Sequence, residues 1–147
     1  MSHVILIAAD RELPLLDRVR EFSDEDHHLV FANGIRVLEH KYYRWAVDEL
    51  GFELKPCQYE LDIVQHENDL RSLIDYLSEN FSPGEEAELW SLWVGSGGGE
   101  RPIRYRGRLS EFDLDTLGML TEQQYEPDLT GEYPDGLISQ ICITVEI

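Results

Sequence analysis

Three arginines alternate along one stretch of the chain, at Arg104, Arg106 and Arg108. Alternate residues of a β-strand project from the same face, so a strand here would place three guanidinium groups side by side. Guanidinium groups bind carboxylates and phosphates through forked hydrogen bonds. The stretch is therefore a candidate anion-binding strand. The surplus of acids favours the other interpretation, in which the arginines pair internally, for example with Glu86 and Glu88.

A glycine-rich loop from residue 95 to residue 99 precedes these arginines. The backbone amides of such loops bind phosphate when a helix follows, and the P-loop also requires a lysine at a fixed spacing. Here Glu100 and then a predicted strand follow, so a nucleotide site is not expected. We predict a flexible tip in which Gly97 and Gly98 lie near the arginines and contribute to any small-anion site.

Carboxylates and imidazoles are concentrated between residues 24 and 28. Asp24, Asp26, His27 and His28 are weak candidates for a divalent metal site, because oxygen and imidazole are common metal ligands. Adjacent residues do not converge on one ion by themselves, however, and the EF-hand pattern is absent. The sequence favours a solvated acidic loop, and it predicts no resident metal, no cofactor and no catalytic set.

Aromatic residues form a third group of candidates. Trp90 and Trp93 lie at positions of opposite parity on a predicted strand, so one is expected in the core and the other at the surface. Tyr42 and Tyr43 are adjacent on a predicted helix and cannot both face inward. Exposed Trp, Tyr and Arg anchor many protein interfaces, so these four residues are candidate partner contacts.

The chain has 147 residues, with 30 acids against 12 bases and a net charge of -18. The stretch from residue 101 to residue 108 is the exception, because it carries four arginines and no acid. Such a charge repels nucleic acid and anionic membranes and attracts cationic partners. Two cysteines without a CxxC motif indicate a reduced, cytoplasmic protein, and the first apolar run is predicted to be a strand, not a signal peptide.

The elements that must position these residues follow from periodicity and turn signals. Strands are predicted over residues 4–9, 59–65, 87–95, 103–109 and 137–147. Helices are predicted over 13–22, 41–50 and 67–80, and over a segment that ends near Thr121 and has Ser110 as N-cap.

The segment from residue 29 to residue 38 has two interpretations. Asn33-Gly34 between two apolar stretches is the pattern of a β-hairpin, which we prefer. Alternatively, the apolar residues follow the 3.6-residue period of a helix. In that interpretation Asn33 is the N-cap of a helix that continues to the residue before Gly51.

From residue 59 onward the predicted order is strand, helix, strand, strand, helix, strand. This order is that of the ferredoxin-like split βαβ sandwich, an α+β fold with helices on one face of an antiparallel or mixed sheet. The N-terminal segment would add further strands and helices. No long linker divides the chain, so residues 1–147 are predicted to form a single domain.

Composition and motifs together predict an acidic module that binds a basic protein, in the manner of an inhibitor or an immunity-type protein. The alternative is a small-molecule protein or enzyme that holds an anion with the arginine strand and the glycine loop. The sequence predicts neither an oligomeric state nor a particular partner.

Overall fold

The secondary structure was taken from a computed structural model that describes residues 1–17, 21–22, 29–30 and 34–147, with the backbone alone at 21–22 and 29–30. The strands are β1 (Ser2–Ala9), β2 (Glu21–Phe22), β3 (Leu29–Val30), β4 (Arg36–Glu39), β5 (Cys57–Asp62), β6 (Glu86–Val94), β7 (Ile103–Arg108), β8 (Tyr125–Glu126), β9 (Leu137–Ile138) and β10 (Ile141–Glu146). The α-helices are α1 (Arg44–Glu49), α2 (Glu67–Asn80) and α3 (Leu114–Thr121), and a 3-10 turn (Leu109–Glu111) precedes α3.

Six strands form the main sheet, in the order β4-β5-β1-β6-β10-β7. All neighbours in it are antiparallel except β10 and β7, which are parallel. The pairs β2–β3 and β8–β9 are separate two-stranded ladders. The unbroken apolar run of β1 fits this arrangement, because β1 lies inside the sheet and is buried on both faces.

Each face of the sheet has its own apolar core. On one face, here called the helical face, α2 and α3 pack with Leu73, Leu77, Leu117 and Leu120. The other, the α1 face, presents alternate residues of the same strands. A cluster there is built from Val4, Leu6, Ala8, Val47, Trp90, Leu92, Val94 and Cys142, with Phe52 and Leu54 packed against it. Every buried strand therefore delivers its odd- and even-numbered side chains to different cores.

The α+β class and the mostly antiparallel sheet agree with the sequence prediction. The ferredoxin-like arrangement is not confirmed, because the sheet has six strands and β1 lies between β5 and β6 while β10 lies between β6 and β7. The helices also do not share one face, since Val47 of α1 packs on the face opposite to α2 and α3.

The predicted helix over residues 13–22 is wrong in the part that the structure describes. Residues 12–15 have no regular structure, Leu16 forms a β-bridge with Val37, and Glu21–Phe22 is a strand. The two main-chain hydrogen bonds between Leu16 and Val37 measure 2.9 and 2.7 Å. Pairing along the outer side of β4 thus satisfies the main-chain hydrogen-bonding groups of Leu16 in an extended conformation. This pairing decides the local structure, because the helical spacing of the apolar residues is weak.

The hairpin that we preferred between residues 29 and 38 is not formed as predicted. β3 pairs with β2, and β4 pairs with β5. Residues 31–33, including Asn33, lie outside the described part of the chain. The helical alternative also fails, because Arg36–Glu39 is a strand and α1 begins only at Arg44. Gly51 closes α1 with a φ of 73°, in the left-handed conformation that the sequence predicted.

Two boundaries near the C-terminus differ from the prediction. Asp113, and not Ser110, is the N-cap of α3, since its side chain accepts a hydrogen bond of 2.9 Å from Thr116 N. The predicted strand over 137–147 is divided into β9 and β10, because Ser139 and Gln140 leave the ladder. Gln140 uses its side chain for a different contact, described below.

Candidate functional site

The arginine strand is β7, which forms one edge of the main sheet. Its register places Arg104 beside Cys142 and Arg106 beside Thr144, so the even-numbered arginines lie on the α1 face. All three arginines are exposed. The period-two spacing thus predicts their common face correctly.

Arg106 is paired within the chain. Its Nη1 donates to Glu86 and lies 3.4 Å from Glu146 Oε1. The hydrogen bond from Arg106 holds the pKa of Glu86 below its usual value, because it favours the ionised carboxylate. Internal pairing therefore accounts for the middle arginine.

Arg104 and Arg108 have different surroundings. The Arg104 guanidinium lies 5.4 Å from the centre of the Trp90 ring, in a cation–π contact. In the part of the chain that the structure describes, neither Arg104 nor Arg108 has a carboxylate oxygen within 4.0 Å. Glu88, the other expected partner, instead accepts from Lys55 N at 2.8 Å and from Trp90 Nε1 at 3.2 Å. Two of the three guanidinium groups are thus available to an incoming anion.

The glycine loop packs against β9. Gly99 N donates to Ile138 O, and Ile138 N donates to Gly97 O, each at 2.9 Å. Ile103 begins β7 at the loop end of the sheet, whereas Arg108 ends β7 beside Glu146 and Glu86. The structure therefore places Gly97 and Gly98 near the Arg104 end and does not bring them together with Arg108.

Gln140 fixes the glycine loop to the sheet. This fully buried side chain accepts from Trp93 N at 2.6 Å and donates to Trp93 O at 2.9 Å, so it substitutes for a strand partner. A Cβ atom on Gly98 would lie 2.5 Å from Gln140 Nε2, which explains why glycine occupies that position. Sequence reasoning did not single out Gln140. The polar dipeptide Ser139-Gln140 within an apolar stretch was the available signal.

The candidate aromatic contacts differ greatly in exposure. Trp90 is completely buried, so it serves the core and not a partner. Trp93 is partly buried and stacks on His3, with ring centres 4.3 Å apart. Tyr43 packs against the core of the α1 face. Tyr42, in contrast, is 86% exposed, and it touches Tyr43 edge to face at 4.9 Å.

Trp45 is 72% exposed, although it was not among the partner contacts predicted from the sequence. The helical phase contained the signal, because the inward residues Tyr43, Ala46, Val47 and Leu50 follow the i, i+3, i+4, i+7 spacing. That phase leaves Tyr42, Trp45 and Glu49 on the outer side. We define the α1 surface as Tyr42, Trp45, Asp48 and Glu49, all of which are exposed.

His40 and Gln58 each have polar side-chain atoms that are buried. His40 follows β4 and is only 4% exposed, and the register of β4 on β5 places it opposite Gln58. Among the described residues, neither ring nitrogen of His40 has a hydrogen-bond partner, nor does Gln58 Oε1. Burial, and secondarily the charge of Arg44, lowers the pKa of His40, while Asp48 acts in the opposite direction. A neutral His40 therefore suits the folded state.

The burial of His40 predicts that the protein loses stability as the pH falls. Because the folded-state pKa of His40 is lowered, the unfolded chain takes up a proton first, below an ordinary pKa of about 6.5. The free energy of unfolding should fall from about pH 6.5 down to the folded-state pKa. Urea denaturation at a series of pH values measures this slope, which should become smaller in His40→Phe.

His3 provides the control, because burial lowers its pKa as well. His3→Gln should retain the part of the slope that depends on His40. An unchanged slope in His40→Phe would contradict the prediction.

The candidate metal ligands Asp24, Asp26, His27 and His28 lie outside the described residues. Within residues 1–17 and 34–147, no group of three or more metal-ligating side chains comes together. In the same described part, no helix is long and apolar enough to cross a bilayer.

No protein-family model matches this chain, and no match was found among curated proteins or solved structures.

Proposed function

We propose that the protein is an acidic binding module that captures a basic protein on its α1 surface. One observation carries the proposal: two large aromatic residues three positions apart, Tyr42 and Trp45, are 86% and 72% exposed. Aromatic side chains contribute most to interfaces when a partner covers them, and their faces attract Lys and Arg through cation–π contacts. In isolation they only expose apolar area to water.

The charge around these aromatics suits a cationic partner. Asp48 and Glu49 follow Trp45 by three and four residues, so one turn of helix brings them to its side. The net charge of -18 adds long-range attraction, which speeds the encounter with a basic protein and weakens with salt. An inhibitor or immunity-type protein for a basic enzyme is one form that such a module takes.

Capture from a lysate of the native host tests this proposal. We expect the wild-type protein to retain a basic protein at low salt and less of it at moderate salt. The double variant Tyr42→Ala/Trp45→Ala should retain at least about tenfold less, since hot-spot aromatics contribute about 2 kcal/mol or more each.

Tyr125→Ala is the matched control, because Tyr125 is also exposed, at 59%, but lies on β8. It should retain the partner as the wild type does. Capture of no basic protein, or equal capture by the wild type and the double variant, would contradict the proposal.

The anion-binding alternative has less geometric support. Arg106 is already paired, and the glycine loop lies at the opposite end of the sheet from Arg108. The three arginines follow an open sheet edge, and only Arg106 and Arg108 contribute to the lining of the cleft of about 230 Å³ beside β7. Inorganic phosphate or a small dicarboxylate that raised the melting temperature would support the alternative.

A further inference from the structure

The outer edge of β7 has main-chain groups that point away from the sheet. Ile103 N donates to Gln140 O at 2.7 Å, on the β10 side. Successive residues of a strand direct their N–H and C=O groups to alternate sides. The main-chain groups of Tyr105 and Gly107 therefore also point toward β10. The N–H and C=O groups of Arg104 and Arg106 therefore point outward. In the described part of the chain, β7 is the last strand at this edge.

The two faces of this edge differ in chemistry. On the α1 face, Arg104, Arg106 and Arg108 form a row of cations, of which Arg106 is paired internally. On the helical face there is a cleft of about 230 Å³ where β7 meets α3. Its apolar lining comes from Tyr105, Phe112, Met119, Ile143 and Val145.

Gly107 keeps this cleft open. A Cβ atom at Gly107 would have no atom within 4 Å, so the missing side chain leaves free space next to Tyr105. Glycine weakens a strand interior and often marks a place where another chain approaches. The cleft is the right kind of space for one apolar side chain from a neighbouring strand.

We propose that the β7 edge binds an extended peptide segment in which acidic and apolar residues alternate. The segment adds a strand to the sheet through the outward main-chain groups of Arg104 and Arg106. Its acidic side chains then lie on the α1 face beside Arg104 and Arg108, and an apolar side chain fills the Gly107 cleft. This proposal is independent of the α1 surface and its basic partner.

A second copy of β7 is the wrong occupant. Antiparallel pairing of two such strands would bring arginines of both copies face to face, and like charges at cross-strand positions are destabilising. A strand with the complementary sign is required.

Hydrogen exchange measured by NMR tests the proposal directly. The probe is an acetylated hexapeptide of alternating glutamate and valine, and the control peptide has the same composition with all glutamates first. We expect the alternating peptide to slow exchange of the Arg104 and Arg106 amides about tenfold or more at saturation. The Ile103, Tyr105 and Gly107 amides, which face β10, should change little. No binding, equal binding of the control peptide, or unchanged Arg104 and Arg106 amides would overturn the proposal.

Two substitutions at Arg106 distinguish the contribution of its main-chain N–H to peptide binding from that of its side chain. Arg106→Ala should change the affinity for the peptide less than threefold, because that side chain is already paired. Arg106→Pro should weaken binding about tenfold or more, since proline removes an outward N–H without breaking a bond to β10. Equal effects of the two substitutions would exclude strand addition.

The contributions of the Arg108 charge and of the cleft at Gly107 are tested by titrating further variants with the same alternating peptide. Arg108→Glu should weaken binding about tenfold or more, whereas Arg71→Glu, an equal charge change at an exposed position of α2, should not. Gly107→Val should also weaken binding, because it fills the cleft. Equal losses in Arg108→Glu and Arg71→Glu would show that only net charge matters and would overturn the proposal. The Tyr42→Ala/Trp45→Ala variant should bind the peptide normally, so a failure of the α1 proposal remains distinguishable.

Discussion

Trp90→Ala should lower the free energy of unfolding by about 3–5 kcal/mol, the range typical of large aromatics removed from a core. Trp90 is completely buried between the sheet and the segment that carries Phe52, whose ring centre lies 6.3 Å away. Its Nε1 donates to Glu88, and Arg104 lies over its ring. The substitution removes all three contacts and leaves a cavity that the rigid sheet cannot close.

Urea denaturation measures this loss, and Trp45→Ala is the matched control. Trp45 is the same residue type but is 72% exposed, so its removal should change stability by no more than about 0.5 kcal/mol. Similar losses in the two variants would show that the burial of Trp90 does not stabilise the fold as described.

Gln140→Leu should lower the free energy of unfolding by about 2–6 kcal/mol. Leucine keeps most of the volume but cannot pair with Trp93 N and Trp93 O, which Gln140 now satisfies at 2.6 and 2.9 Å. A buried main-chain group that loses its partner costs about 1–3 kcal/mol, and two groups are affected. Thermal or urea unfolding measures the loss.

Gln123→Leu is the control, because Gln123 is exposed and should tolerate the change. Gly98→Ala provides an independent route to the same contact, since its Cβ would lie 2.5 Å from Gln140 Nε2. It should destabilise the protein in the same direction. A neutral Gln140→Leu would mean that the side-chain bridge contributes little.

The parts of the fold that the sequence predicts well have strong local signals. Helix α2 was predicted at its observed bounds, because the apolar spacing of Leu70, Leu73 and Leu77 ends at the break Ser82-Pro83-Gly84. The order of strands has no such signal. Insertion of β1 between β5 and β6, and of β10 between β6 and β7, depends on long-range pairing that no local periodicity encodes.

The candidate sites show the same division. Alternation correctly gave the arginines a common face, and it assigned Trp90 and Trp93 to opposite faces. It did not tell which tryptophan is buried, because both faces of this sheet are covered. The exposure of Trp45 follows from the phase of α1, which the sequence left open because the segment before the helix, which is β4, had both a hairpin and a helical interpretation.

The internal pairing of Arg106 sets this side chain apart from its two neighbours on β7. Glu86 and Glu146 are tethered beside its guanidinium, so they compete for it at an effective concentration of about millimolar or more. A simple monocarboxylate at cellular dilution cannot displace them. In the proposed peptide complex, linked acidic side chains that reach Arg104 and Arg108 together gain from multivalency. The chain's own acids compete with such a peptide only at Arg106, so they favour a ligand that does not depend on this side chain.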